Sequence, residues 1–484
     1  MNSSTFTTDT RSRSSRAQLA STHIRPHSKT RVAYFHNKDV GSFHYGVGTG
    51  VGAVCKGASV YDTKKTGHPM KPHRLTLTND LVINYGLHEL MDVYCPRMAT
   101  EAELLEFHES DYVNFLKKIT PQNRDTEFAD VLGNFNFGDD CPVFDGLWDF
   151  CRIYTGASLA AAQKLCMKDM EICVNWSGGL HHAKSYEASG FCYVNDIVLA
   201  IRQLLKYYVR VLYIDIDIHH GDGVQEAFYC TDRVMTVSFH KYEPGFFPGT
   251  GDTTEIGSEL GKYYSINVPL KNGIDDDSYV NLFRTIMTEV KDRYQPSVIV
   301  LQCGADSLGL DRLGAFNLSI KAHGDCVKII KSWQIPLLVL GGGGYTIHNV
   351  ARCWAYETSV LLDANLPNEI PGESKYLDFF EPDYKLHPHL VGRVDNQNTK
   401  TDLKRLTEVI FEQLRHLDGA PVIQMQELPD GIAEYLQEAD EELADTREDQ
   451  RANKRMKRSK AHDNEFFDGD SDQEQDEENT MDLD

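Results

Sequence analysis

The run Tyr213–Gly223, Y-I-D-I-D-I-H-H-G-D-G, sets two aspartates and a histidine at alternate positions of an apolar stretch. Alternate residues of a strand share a face, so Asp215, Asp217 and His219 are expected to emerge in register. Carboxylates inside a buried strand are costly unless paired or bound to metal. Asp217-x-His219 offers one oxygen and one nitrogen ligand in a shared orientation. A third ligand must come from elsewhere, and Asp306 in Q-C-G-A-D-S follows another apolar run. Two carboxylates and one imidazole leave a coordination position open, as in catalytic zinc sites rather than structural ones. A purely structural buried triple is the competing reading of such a short pattern.

Other segments carry complementary chemistry. In G-G-L-H-H-A (Gly178–Ala183) the adjacent His181 and His182 are either polar loop residues or, beside a metal, a proton-transfer pair titrating near neutral pH. Asp215 and Asp222, left over from metal ligation, can each orient one imidazole. G-G-G-G-Y (Gly341–Tyr345) lets the backbone pass close to a ligand. It lacks the Lys-Ser/Thr of a phosphate loop, and its Tyr345 can donate a hydrogen bond to a substrate carbonyl.

These residues need elements to hold them. Short β-branched apolar runs recur at Arg31–Tyr34, Ile172–Asn175, Val211–Ile216, Val234–Phe239, Val298–Gln302 and Leu337–Leu340. Near-continuous hydrophobicity is typical of strands buried on both faces. Helix-length segments lie between several of them: Asp196–Tyr207, Asp277–Tyr294 and Ile320–Trp333. The alternation predicts a single-domain α/β fold, a mainly parallel sheet sandwiched by helices. The polar clusters directly follow the apolar runs, at the carboxyl ends where such sheets work.

Together, Asp217, His219, Asp306, the histidine pair and Gly341–Tyr345 resemble the active site of the arginase/deacetylase superfamily. Gly67–Arg74 (G-H-P-M-K-P-H-R), Gly138–Gly146 (G-D-D-C-P-V-F-D-G), Ser189–Asp196 (S-G-F-C-Y-V-N-D) and Phe246–Asp252 (F-F-P-G-T-G-D) resemble class I histone deacetylases specifically. The similarity runs from about Arg31 to about Met425. It implies zinc held by Asp217, His219 and Asp306, with His181 and His182 as general base and acid oriented by Asp215 and Asp222. It further implies that Tyr345 stabilises a tetrahedral oxyanion. Gly190, Phe191, Phe247 and Leu313 would line a narrow tube around the lysine methylenes, and Asp140 at the rim would accept substrate backbone N–H groups. A structural potassium ion would use Asp215, Ser238 and main-chain oxygens at Phe228, Thr231, Val234 and Tyr264. An inositol phosphate would meet Lys71 and Arg312, with Lys271 where the family has arginine, which keeps charge and loses the bidentate fork. The implied substrates are acetylated histone tails and the implied partners are corepressor subunits. The implied location is the nucleus, with the cytoplasm not excluded.

One departure is local. Tyr45-Gly46-Val47-Gly48 is separated from His68 by 19 extra residues, Thr49 to Gly67, either a rim-loop insertion or a translated in-frame intron. Rival readings are a non-catalytic scaffold and a small-molecule deacetylase of the polyamine type. The scaffold is expected to have lost a ligand, a histidine or Tyr345, and none is missing. An arginase-like second metal needs Asp-x-His-x-Asp, and position 221 is glycine.

Composition sets the remaining bounds. No stretch reaches ~18 consecutive apolar residues, so no membrane span is expected. No secretory signal pattern is expected either. Eleven cysteines without a C-x-x-C pair suggest reduced thiols. The formal net charge is −23, and residues 440–484, with 17 acids and 7 bases, carry −10 of it. A basic face that reads nucleic-acid sequence directly is therefore not expected. Residues 1–30, rich in Ser, Thr and Arg, are expected to be a disordered arm, and 31–425 the catalytic domain. Residues 426–484 are expected to be a disordered charged tail whose basic cluster, 451–460, resembles an import signal. Within it, Ser471 precedes Asp472 and Glu474, a context for an acid-directed kinase.

Overall fold

A computed structural model describes residues 31–46, 67–388 and 394–417. All of them belong to one compact unit of the chain. The arm 1–30, the tail 426–484 with Ser471, and all of the 49–67 insertion except Gly67 lie outside the described residues.

Among the described residues, eight strands form one sheet: β1 (Val32–Phe35), β2 (Asp92–Tyr94), β3 (Ile172–Asn175), β4 (Val211–Asp215), β5 (Val234–Lys241), β6 (Ser265–Leu270), β7 (Val298–Gln302) and β8 (Leu337–Leu340). Their order is β2-β1-β3-β8-β7-β4-β5-β6, and every neighbouring pair is parallel. The α/β architecture expected from sequence is thus the one observed, with β3, β7 and β8 at the expected bounds. The first run sits one residue later, and β5 extends to Lys241.

Strands β2 and β6 carry no comparable sequence signal. The first is three largely exposed residues, D-V-Y, on the sheet edge. The second, S-I-N-V-P-L, forms the opposite edge and contains Pro269, which an edge strand tolerates because one side needs no ladder bond.

Alternation along the inner strands divides the core. Leu338, Leu340, Val298 and Val300 pack with Ala157, Ala161 and Leu165 of helix Leu147–Cys166 and with Ile197 and Ile201 of helix Asp196–Leu204. Leu337, Val339, Ile299 and Leu301 point the other way. They join Leu282 and Phe283 of helix Asp276–Tyr294, Val327 of helix Ile320–Lys331 and Trp354 of helix Ile347–Leu361. Burying both faces explains why these strands read as unbroken apolar runs.

Candidate active site

Four neighbouring strands, β3, β8, β7 and β4, deliver the polar clusters from their carboxyl ends. Strand β4 stops at Asp215, so Asp217 and His219 leave on the following loop and not on the strand itself. This corrects the register expected from Tyr213–Gly223. The two still converge with Asp306: His219 Nδ1 lies 3.2 Å from Asp217 Oδ1 and 3.1 Å from Asp306 Oδ2. All three are buried, with candidate ligand atoms within 4.8 Å of one another.

The electrostatics of this triple suit a cation. Burial opposes ionisation of Asp217, but His181 and His219 hold its carboxyl well below the ordinary range. Burial and the charge of Asp217 push Asp306 up. His219 is raised by hydrogen bonds to both carboxylates, against burial. Two carboxylates and an imidazole crowded in a water-poor site compete for one proton, and a divalent ion satisfies all three. The donor set therefore fits zinc. Outer bonds orient it: Gln302 Nε2 and Gly343 N donate to Asp217 Oδ2 at 2.9 and 2.8 Å, and Ile218 N to Asp306 Oδ1 at 3.0 Å. A β-carbon at Gly343 would sit 2.0 Å from Asp306 Oδ2, so the glycine loop's close approach needs that missing side chain.

The histidine pair lies beside the triple, ring centroids 3.9 Å apart. His181 Nδ1 meets Asp215 Oδ2 at 2.8 Å, and His182 Nδ1 meets Asp222 Oδ1 at 2.7 Å. Asp215 also accepts from the Tyr213 hydroxyl at 2.6 Å, and Asp222 from Lys184 Nζ at 2.7 Å. Burial works against a charge on His181, yet Asp215 and Asp217 raise it to about 9. His182, without that support, is lowered to about 3 by burial and by His181. Burial and the neighbouring carboxylates thus push the two imidazoles in opposite directions.

Aromatic rings wall the approach. Phe247 packs edge-on against His182 at 4.8 Å, and Phe191 edge-on against Tyr345 at 5.6 Å. A β-carbon on Gly190 would lie 2.5 Å from the His182 ring and 2.8 Å from that of Phe247, so only glycine lets these rings close up. Phe191 adopts φ +67, and its carbonyl accepts from the Tyr45 hydroxyl at 3.0 Å. A backbone strained at a ligand clamp is held there by such contacts. Phe247 and Leu313 are each 37% exposed, and Asp140 is exposed, with its carbonyl 3.2 Å from His68 Nε2.

Residues that spacing alone did not single out complete the scaffold. Arg74, within the quoted G-H-P-M-K-P-H-R, is buried and donates to the Gly344 and Gly342 carbonyls at 2.6 Å each. Its signal was a guanidinium entering the apolar face of helix His73–Asn84. Asp196 anchors Gly179 N and Leu180 N at 3.0 Å each, just before the histidine pair. A second buried group, His323, Cys353 and Glu357, braces the same region, since His323 Nε2 lies 3.0 Å from the Gly304 carbonyl.

Asp215 and Ser238 are cross-strand partners at the carboxyl end of β4 and the middle of β5, whereas Val234 pairs with Val211 at the amino ends of both strands. Four strand residues span ~13 Å, so one potassium cannot take ligands from both groups. Phe228 and Thr231 precede Val234, and the Tyr264 carbonyl accepts from Thr236 N at 3.0 Å, which assigns those oxygens to the amino end. In the basic trio, Lys271 Nζ lies 2.9 Å from Asp402 Oδ2.

The histone deacetylase domain matches residues 68–361. Histone deacetylase B of Dictyostelium discoideum is 56% identical over 408 residues, 84% of this chain and 92% of the relative. Histone deacetylase 9 of Arabidopsis thaliana is 52% identical over 447 residues, 92% and 99% of the two chains. Histone deacetylase 1 of Bos taurus is 53% identical over 403 residues, 83% and 79%.

Proposed function

Because this chain belongs to the histone deacetylase family, among its class I members, we propose that it hydrolyses N-ε-acetyl-lysine in histones to lysine and acetate. The observation that carries the reading is the convergence of Asp217, His219, Asp306, His181, His182 and Tyr345 behind a mouth walled by Phe191 and Phe247. Asp217, His219 and Asp306 would hold zinc, which when bound supplies Lewis acidity to the acetyl carbonyl and acidifies water.

The protein's own groups do the rest. The tube strips water from the lysine methylenes and lets only a slender side chain reach the interior. His182 borders that space and is neutral, so its Nε2 takes the proton of the attacking water while Asp222 holds Nδ1. The same nitrogen then returns the proton to the departing lysine amine. His181, held at Nδ1 by Asp215, lies alongside as the second imidazole of the pair. This reading gives both proton transfers to His182, where the resemblance alone made His181 the base and His182 the acid. The Tyr345 hydroxyl donates to the developing oxyanion, a preorganised contribution.

The wider reading is a catalytic domain over 31–425, zinc as cofactor, nuclear location and a corepressor-type complex, with acetylated histone tails as substrate. Two potassium sites are proposed, one at Asp215 and Ser238, the other at the carbonyls of Phe228, Thr231, Val234 and Tyr264. Inositol phosphate at Lys71 and Arg312 would have to displace Asp402 to engage Lys271. No helix among the described residues is long and apolar enough to cross a membrane.

Assaying the full chain on an acetylated histone peptide and on acetylated spermidine tests the reading. Peptide hydrolysis lost on chelation and restored by zinc is expected. Turnover of acetylated spermidine alone would favour the polyamine reading, and turnover of neither would favour a scaffold.

A further inference from the structure

The Tyr345 loop has little stiffness of its own, because Gly341–Gly344 precede the tyrosine and glycine restricts the backbone least. Helix Ile347–Leu361 follows at once, and its N-cap, Thr346, makes no side-chain capping bond. The first N–H groups of a helix need an acceptor. One arrives from another strand's loop: Asp311 Oδ2 accepts from Tyr345 N at 2.7 Å and from Thr346 N at 3.0 Å. Its other oxygen, Oδ1, accepts from Leu313 N at 3.0 Å. The Thr346 hydroxyl adds a bond to the Leu310 carbonyl at 2.9 Å, and Leu310 itself sits at φ +67. A left-handed non-glycine residue is costly and persists only where surrounding bonds enforce it.

We propose that Asp311 is a positioning residue for deacetylation, its carboxylate tying the Tyr345 backbone to that of Leu313 so that the tyrosine hydroxyl stays in register with the mouth of the tube. The inference rests on the reading of Tyr345 as the oxyanion donor. Asp311 is half-buried between exposed Leu310 and exposed Arg312 and Leu313, and its carboxylate is spent on three backbone N–H groups. Arg74 grips the Gly342 and Gly344 carbonyls, and Asp311 fixes the N–H that follows them. Only a carboxylate presents acceptors to all three donors. An asparagine would turn an N–H toward either Leu313 N or the Tyr345–Thr346 pair.

The test is a double-mutant cycle in the full zinc-loaded chain with an acetylated histone peptide. Asp311→Asn is expected to lower kcat about 10- to 100-fold, the scale of an ångström's misplacement, with KM changed by less than about threefold. In a Tyr345→Phe background the same substitution should cost less than about twofold, because the group it positions is gone. Equal losses in both backgrounds would assign Asp311 a merely structural role and overturn the proposal, as would parental kcat in the single variant. If Asp311→Asn does not fold, Asp311→Ser, which keeps an acceptor and relieves the repulsion, is run through the same cycle and judged by the same criteria. A parent chain inactive on the peptide would remove the oxyanion reading itself, and the proposal with it.

Discussion

Asp222→Asn keeps the shape of a side chain and inverts one hydrogen bond. Asp222 is 12% exposed and receives two donors, His182 Nδ1 at its Oδ1 and Lys184 Nζ at its Oδ2, each at 2.7 Å. An ammonium can only donate, so the single amide oxygen of asparagine turns to Lys184 and the amide N–H turns to His182. Facing a donor, Nδ1 must become the acceptor, and the ring proton moves to Nε2. No lone pair is then left where the water's proton must go. The same inversion in a Ser-His-Asp protease costs about 10⁴ in kcat, and a loss of about 10²- to 10⁴-fold is expected here. Stability carries a second signature. Burial opposes ionisation of Asp222, but bonds from His182 and Lys184 outweigh it and hold the carboxyl well below the usual range. A depressed carboxyl stabilises the fold above its unfolded value, about pH 4, and that contribution fades as pH falls. The variant should therefore lose less stability than the parent between about pH 5 and 3. Steady-state kinetics on an acetyl-lysine peptide, zinc analysis and thermal melts across that range supply the readouts. A kcat within about threefold of the parent, at full zinc and with an unchanged fold, would refute the tautomer argument.

Tyr345→Phe should lower kcat about 10²- to 10³-fold while zinc content and the melting curve stay as in the parent; near-parental kcat would remove the oxyanion role. Asp306→Ala should abolish zinc retention, so chelator lowers the melting temperature of the parent and leaves that of the variant in place. Gly179→Ala should destabilise by about 1–3 kcal/mol, because its φ is +95 and the added carbon would lie 2.3 Å from the Gly341 carbonyl oxygen; denaturant titration measures it. Trp354→Phe should cost about 1–3 kcal/mol by the same method, since the indole stacks on Trp176 at 5.4 Å and donates to the Cys303 carbonyl at 2.9 Å.

Much of this protein is legible without coordinates. Strands buried on both faces write themselves as apolar runs, which is why Ile172–Asn175, Val298–Gln302 and Leu337–Leu340 read at their observed bounds. Charged residues at the ends of such runs are costly without a partner, so Asp217, His219 and Asp306 stood out by type and place. Both are local signals of period and composition. Strand order is different in kind. That β3, β8, β7 and β4 lie side by side, and so bring four distant loops together, follows from long-range packing that no local period encodes. Arg74 bonding Gly344, 270 residues away, and Asp311 holding Tyr345 are products of that order. Spacing along the chain determined which groups could do chemistry. The sheet decided which of them meet, because only tertiary packing fixes the distances at which a hydrogen bond or a metal ligand acts.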